Sequence, residues 1–195
     1  MKRLLDVFGS AIGICILLPF FILFALLIIL DSGFPVLYLQ ERVGKDGNDF
    51  SLLKFRTMKK NSDKSGLLTV GEKDPRITGI GFFLRKYKLD ELPQLFNVLS
   101  GDMSLVGPRP EVRKYVELYN EEQKKVLSVQ PGITDLASIE YSNENELIAR
   151  SANPEEFYIH EVMPKKLKLN LQYIAERNIF LDLKIIFNTL GKIFS

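Results

Sequence analysis

Two adjacent carboxylates, Asp90 and Glu91, lie in the run Tyr87-Lys88-Leu89-Asp90-Glu91-Leu92-Pro93-Gln94, with Arg85, Lys86 and Lys88 immediately upstream. An ionised carboxylate can attack phosphorus or hold a divalent cation, and neighbouring cations favour that ionised form. A further cationic stretch, Lys54-Phe55-Arg56, closes a short apolar run. Gly107-Pro108-Arg109-Pro110 sets an arginine between two prolines. The prolines restrict the backbone on both sides, so the guanidinium is presented rigidly, as phosphate recognition or stacking on a flat base requires. Carboxylates among several cations describe a site for a phosphorylated substrate. Plainer readings stay open on local sequence: Asp90 as the N-cap of a helix reaching Leu99, with Pro93 in its first turn and Glu91 complementing the helix dipole, and Arg109 as an exposed turn residue.

Composition narrows the chemistry. The 195 residues carry a formal net charge of +2, with 46% hydrophobic and 26% charged side chains, which excludes a disordered or low-complexity chain. One cysteine, Cys15, rules out an internal disulfide framework and a Cys-rich zinc site; one histidine, His160, rules out two-His metal motifs and reads as structural or solvent-facing. A charge so near zero gives no support to nucleic-acid binding. Gly79-Ile80-Gly81 is too short for a dinucleotide loop, and no Gly-Lys-Ser/Thr phosphate loop occurs.

The elements that must position these groups begin with an apolar segment. From Val7 to Leu30 there are 24 residues without a charge, and only Gly9, Ser10, Gly13 and Pro19 are not apolar. As a helix the run would span roughly 36 Å, enough to cross a hydrocarbon core. Its end, Leu30-Asp31-Ser32-Gly33-Phe34-Pro35, is a poor match to a signal-peptide cleavage site, and a helix apolar on every face does not suit a soluble core. The segment is therefore expected to be membrane-embedded, with a kink at Pro19. Lys2 and Arg3 precede it and a basic stretch beginning at Arg42 follows, so the flanking charge selects no orientation for a single crossing. Two arrangements fit: a plain kinked anchor, or a helix that bends at Pro19 and returns to the side it entered.

Charge divides the remainder. Residues 42–88 hold 12 basic and 5 acidic side chains, residues 89–161 hold 6 and 14, and residues 162–195 hold 6 and 2. The basic blocks are expected to face something anionic, such as a phosphorylated substrate or lipid headgroups, and the acidic block to form a solvated helical face. Val36–Leu39 and Phe50–Phe55 read as strands joined by the turn-rich Gly44–Asn48, and residues 59–75 as a loop. Helices are predicted over Gly81–Lys88, Leu92–Leu99 and Glu111–Val129. At the C-terminus Leu183, Ile186, Phe187, Leu190, Ile193 and Phe194 share one helical stripe opposite Lys184, Asn188 and Lys192. That amphipathic helix could pack on the core or lie in a membrane interface.

With these residues in hand, the chain resembles the bacterial sugar transferases, the small monotopic phosphoglycosyl transferases. The matching stretches are Gln40-Glu41-Arg42-Val43-Gly44, Lys54-Phe55-Arg56-Thr57-Met58, Asp74-Pro75-Arg76-Ile77-Thr78, Leu89 through Leu99, Gly101-Asp102-Met103-Ser104, Val106-Gly107-Pro108-Arg109-Pro110, Pro131-Gly132-Ile133-Thr134 and Leu181-Asp182-Leu183-Lys184. The resemblance implies transfer of a sugar 1-phosphate from a UDP-sugar to a polyprenyl (undecaprenyl) phosphate, with release of UMP and a covalent aspartyl intermediate. On that match Asp90 is the nucleophile, and Glu91 holds magnesium (Mg²⁺) with it. Lys54, Arg56 and Arg85 are expected phosphate ligands, Pro108, Arg109 and Pro110 lie at the uridine end, and Asp182 occupies an acidic position without an assigned role.

The fold implied is α+β. Residues 1–34 form a re-entrant, kinked membrane helix. Residues 35–195 form a mostly helical cytoplasmic catalytic domain with a short β-hairpin and amphipathic interfacial helices, at the cytoplasmic face of the bacterial inner membrane. Two departures stand out: Leu18-Pro19 replaces the Ser-Pro of many members at the bend, and Asp135-Leu136-Ala137-Ser138 replaces the commoner Gly-Leu-Ala-Gln. Rival functions are a non-catalytic membrane-anchored adaptor and a membrane hydrolase acting on phosphorylated lipids. Membrane lipids are expected partners, and the oligomeric state, a homodimer included, is left open.

Overall fold

The structure, a computed structural model, describes residues 2–60, 62 and 74–193. Most of the loop expected over 59–75 and the last residue of the C-terminal stripe, Phe194, lie outside the described residues. The described chain mixes helices with two small sheets, as expected for α+β. Helix α1 (Lys2–Ser32) contains the whole apolar segment and continues through Pro19; its 31 residues extend about 46 Å at 1.5 Å per residue.

Only a narrow stripe of α1 is covered. Gly9 lets the helix approach Leu105 so closely that an added Cβ would meet that side chain at 2.8 Å, and Gly13 lies against Leu95. Further along, Phe21 meets the rings of Phe55 and Phe96, while Phe24 and Ile28 are buried with Phe55 and Leu84. The other face, including Phe8, Ile12, Ile16, Ile22 and Leu30, is exposed. Both ends are tied to the rest of the chain. Lys2 Nζ lies 2.6 Å from Asp182 Oδ2, and Arg3 donates to the carbonyls of Val98 and Leu99. At the other end Asp31 accepts the Ile80 N–H, and Ser32 Oγ accepts from Arg56 Nη2 at 2.8 Å.

The expected hairpin forms from β1 (Leu37–Val43) and β2 (Asp49–Phe55), antiparallel in the register Leu37↔Phe55 to Val43↔Asp49. Its turn uses positive φ at Asp46 and Gly47. The first strand runs beyond Leu39 because its alternation is inverted. Tyr38, Gln40 and Arg42 face inward, while Leu37 and Leu39 are exposed, so the polar residues continue the strand instead of ending it.

Helix α2 (Gly79–Lys86) starts on Thr78, whose hydroxyl accepts the Gly81 N–H, and Gly81 lies so close to Thr57 that an added Cβ would sit 2.1 Å from its carbonyl oxygen. Helix α3 (Gln94–Ser100) begins after Pro93 and stops on Gly101 at φ +104. It is docked on β2 by Asn97, which accepts the Leu53 N–H at 2.9 Å and donates to the Ser51 carbonyl at 2.8 Å. A second sheet pairs β3 (Ser104–Val106) in parallel with β4 (Gly132–Thr134). Three-residue strands are too short to carry a period, and the sequence did not announce them. The pair permits no side chain at Gly132, where a Cβ would fall 2.1 Å from the Gly107 nitrogen.

The long helix predicted over Glu111–Val129 is not continuous. It is replaced by α4 (Arg113–Val116), a turn, and a 3₁₀ helix over Gln123–Ser128. Asn120 and Gln123 explain the break. Each side chain accepts the other's backbone N–H, a reciprocal cap that begins a new helical segment there. Short helices α5 (Leu136–Glu140), α6 (Glu144–Ala149) and α7 (Pro154–Phe157) lead through a π-helical turn, Tyr158–Val162, into α8 (Met163–Glu176). The principal core joins Val43, Val116, Tyr158, Val162 and Leu167. Helix α9 (Ile179–Ile193) buries Ile185 completely but exposes Leu183, Phe187 and Leu190 of the predicted stripe, together with Phe180. Those residues do not pack on the core.

Candidate active site

The Asp90–Glu91 pair occupies a 3₁₀ turn, Leu89–Glu91, between α2 and α3. Lys88 enters it at φ +56, a left-handed conformation that non-glycine residues seldom adopt and that recurs at functional sites. Leu89 and Leu92 pack into the cluster of Phe24, Ile28, Phe55 and Leu84, so the turn is anchored on its apolar side. Asp90 does not cap α3: Pro93 holds the position before that helix, and no side chain caps it. The structure thus removes the plain reading of Asp90 as a helix cap.

Glu91 and Asp90 meet different surroundings. Glu91 Oε1 is ion-paired with Arg109 Nη2 and lies 3.6 Å from Lys54 Nζ. Asp90 is 7% exposed and makes no hydrogen bond or ion pair among the described residues. Burial alone would push both carboxyls up. For Glu91 the charges of Arg109 and Lys54 outweigh it and hold the carboxyl well below the usual range. For Asp90 burial, then the charge of Glu91, raises the pKa above the ordinary aspartate value despite Lys54, Arg85 and Lys88. Lys54 itself is pushed down to about 8, chiefly by burial, with Glu91 opposing.

Each cation is held by its own element. Lys54 comes from β2, opposite Tyr38 of β1. Arg85, from the last turn of α2, donates through Nε to Thr57 Oγ1 at 3.1 Å; burial lowers its pKa and Asp90 opposes the change. Arg109 follows β3 in a loop laid on β4: Gly107 N–H donates to the Thr134 carbonyl and Gly132 N–H to the Pro108 carbonyl. The Pro110 carbonyl accepts from Arg42 Nη1. Lys54, Arg85, Asp90, Glu91, Pro108, Arg109 and Pro110 line one cavity of about 1460 Å³. The same hollow extends to Lys2 and Asp182 and to Ile148 and Leu167 of the principal core, so its volume exceeds that of the site alone.

Of the other expected residues, Arg56 lies outside that cavity, and Asp182 lines it beside Lys2. Arg56 is 5% exposed and turns away toward the C-terminus of α1, donating to Ser32 Oγ and the Gly33 carbonyl, where a cation complements the helix dipole. Asp182 is engaged by Lys2 and by Tyr173, whose hydroxyl donates at 2.7 Å. Pro19 lies within α1, and both Cys15 and His160 are exposed.

Other contributors were not singled out as site residues from the sequence. Glu111 accepts from Arg42 and from the Tyr158 hydroxyl, and so braces the loop after Pro110. Asn97 holds α3 against β2, and the buried Asp135 accepts the Arg109 N–H. Arg42 and Asn97 fell within the quoted family stretches and Asp135 was a departure from them; Glu111 and Tyr158 had no local signal. Among the described residues no group of three or more His, Cys, Asp or Glu side chains is gathered as a metal cage. The donor set fits magnesium all the same, because that ion usually takes one or two carboxylates and fills its shell with water and phosphate oxygens. Asp90 and Glu91, adjacent in one turn, would be the residues to hold such an ion.

Comparison with known proteins supplies the context for this geometry. Residues 1–195 match the family described as bacterial sugar transferase. The undecaprenyl-phosphate glucose phosphotransferase of Komagataeibacter xylinus is 41% identical over 198 residues, covering 98% of this chain and 35% of that protein. The UDP-N-acetylgalactosamine-undecaprenyl-phosphate N-acetylgalactosaminephosphotransferase of Aeromonas hydrophila is 37% identical, covering 99% of this chain and 43% of its own length. The uncharacterized sugar transferase EpsL of Bacillus subtilis is 40% identical, with 99% of this chain and 87% of that protein covered. The chain therefore spans less than half of the two larger relatives and most of the smaller one. Matched from end to end, it belongs to the bacterial sugar transferase family.

Proposed function

We propose that this chain is a phosphoglycosyl transferase that moves a sugar 1-phosphate from a UDP-sugar to a polyprenyl phosphate and releases UMP. The observation that carries the reading is a buried carboxylate, Asp90, that makes no hydrogen bond or ion pair among the described residues, beside a carboxylate that two cations hold ionised, with a third cation in the same cavity. Relatives named for UDP-N-acetylgalactosamine and undecaprenyl phosphate, or for undecaprenyl phosphate and glucose, support the substrate classes.

In the first step an Asp90 carboxylate oxygen attacks the sugar-proximal phosphorus. A carboxyl O–P bond forms while the bond from that phosphorus to the bridging oxygen breaks, and UMP departs with the electron pair. In the second step an oxygen of the lipid phosphate attacks the same phosphorus and the Asp90 carboxylate leaves. Splitting the transfer lets a soluble donor and a membrane-bound acceptor use one site in turn. Lys54, Arg85 and Arg109 hold diphosphate oxygens, and Arg109 also reaches the uridine end of the donor. A magnesium ion shared by Asp90 and Glu91 would neutralise diphosphate charge that otherwise repels an attacking carboxylate.

The membrane placement follows from the same surfaces. The bare face of α1 and the exposed Phe180, Phe187 and Leu190 of α9 suit insertion among lipid chains and headgroups. Ties from both ends of α1 to the catalytic elements support a helix that enters and leaves on one side, the cytoplasmic face of the inner membrane, where the cavity would meet the lipid phosphate. The test is UMP release in detergent or nanodiscs with a panel of UDP-sugars and undecaprenyl phosphate. Sustained release is expected only with both substrates. Protein quenched during turnover should carry a phosphosugar on Asp90, and product formation without that adduct would discard the covalent route.

A further inference from the structure

We propose that Asp135 is a positioning residue for Arg109: its buried carboxylate fixes the backbone from which the guanidinium reaches Glu91 and the donor. The proposal rests on the transferase reading, which gives Arg109 its ligand.

Asp135 is fully buried, and its two oxygens have different partners. Oδ1 accepts the Ser138 N–H at 2.6 Å and caps α5, while Oδ2 accepts the Arg109 N–H at 3.1 Å. Capping needs one oxygen, and a serine or threonine hydroxyl would serve it as well without burying a charge. The second oxygen answers a need that capping does not create. Pro108 and Pro110 have no N–H, so Arg109 supplies the one main-chain donor of the Pro-Arg-Pro segment. The remaining loop contacts are made by carbonyls and by Gly107, through Thr134, Gly132 and Arg42. Asp135 therefore holds the loop at the residue that carries the functional side chain. Its charge also helps keep the Arg109 guanidinium protonated, after the larger effect of Glu91. Letting that anchor go frees the Arg109 backbone to shift, and displacements of about 1 Å can cost up to about a hundredfold in rate.

Asp135→Ser separates the two roles, because a serine hydroxyl still caps α5 but is too short to reach Arg109. The variant is expected to lose about tenfold in kcat/KM for the UDP-sugar, mainly through KM. It should bind UDP correspondingly more weakly in titration and exchange the Arg109 amide hydrogen faster. In an Arg109→Ala background the same substitution should cost less than about twofold, since residues acting as one unit are not additive. Asp135→Asn, with one oxygen for two donors, should fall between and replaces the serine variant if that does not fold. Equal losses in both backgrounds, or unchanged Arg109 exchange, would overturn the proposal. Wild-type protein that releases no UMP from any UDP-sugar would instead refute the transferase reading, and amide exchange would still decide the role of Asp135.

Discussion

Two corners of the molecule place an aspartate near cationic side chains, and they are built to opposite ends. At the foot of α1, Asp182 is satisfied on both oxygens, by Lys2 at 2.6 Å and the Tyr173 hydroxyl at 2.7 Å. Nearby Asp6 accepts from both the Ser104 hydroxyl and the Leu105 N–H, on one oxygen. In the turn before α3, Asp90 is as buried as Asp6 and has no such partner among the described residues. A buried carboxylate that is fully bonded stabilises a fold; one left unbonded costs stability and is retained for what it does. The difference separates a tether from a reagent.

Substitution with asparagine at each corner should break that comparison most sharply. Asp90→Asn removes the nucleophile and a desolvated charge together. Turnover should fall by about a thousandfold or more, while the melting temperature stays level or rises. Asp182→Asn should do the reverse, losing roughly 1–2 kcal/mol as a charge-assisted bond is weakened, with UMP release per folded molecule nearly unchanged. Parallel losses of activity and stability in both variants would mean that the two corners do the same job.

The pH profile sharpens the electrostatic side. Attack requires ionised Asp90, and its pKa lies above the ordinary aspartate value, so activity should decline as pH falls through that raised pKa. Phosphate binding requires charged Lys54, whose pKa is pushed down to about 8, so activity should also decline as pH rises through that value. One unit above, about a tenth of the lysine remains protonated, which sets a loss of about tenfold. Lys54→Arg keeps its charge throughout the range and should remove the alkaline limb while leaving the acid limb in place. An unchanged alkaline limb in that variant would assign it to another group.

What the sequence disclosed follows the range of its signals. Asp90, Glu91, Arg85, Lys54 and Arg109 were legible because each sits in a short motif of charge beside turn-forming or apolar residues, and the structure brings all five to one cavity. Arg56 misled. Alternation places it on the face of Lys54, but β2 ends at Phe55, and beyond that point the chain aims Arg56 at the end of α1. Arg42, Glu111 and Tyr158 gave no sign of acting together, since their bonds join positions 47 to 69 residues apart. The apolar segment was legible from length alone. The surfaces that cover one stripe of it, through Gly9 and Gly13, depend on Leu105 and Leu95 far along the chain.

The smallest effect tests the tether itself. Lys2 is 36% exposed, so solvent screens its pair with Asp182, and Lys2→Cys should cost about 0.5–1 kcal/mol, read as a small drop in melting temperature. The same cysteine reports on topology. A pair from one end of α1 to α9 and a hydrogen bond from the other end to Arg56 cannot both form if the two ends face opposite sides of a hydrocarbon layer about 30 Å thick. In intact vesicles and in a background with Cys15 replaced, cysteines at positions 2 and 59 should therefore react with an impermeant label from the same side. Labelling from opposite sides would make α1 a simple anchor and break its lower tether, yet leave the chemistry at Asp90 untouched, because none of the cations around that turn comes from α1.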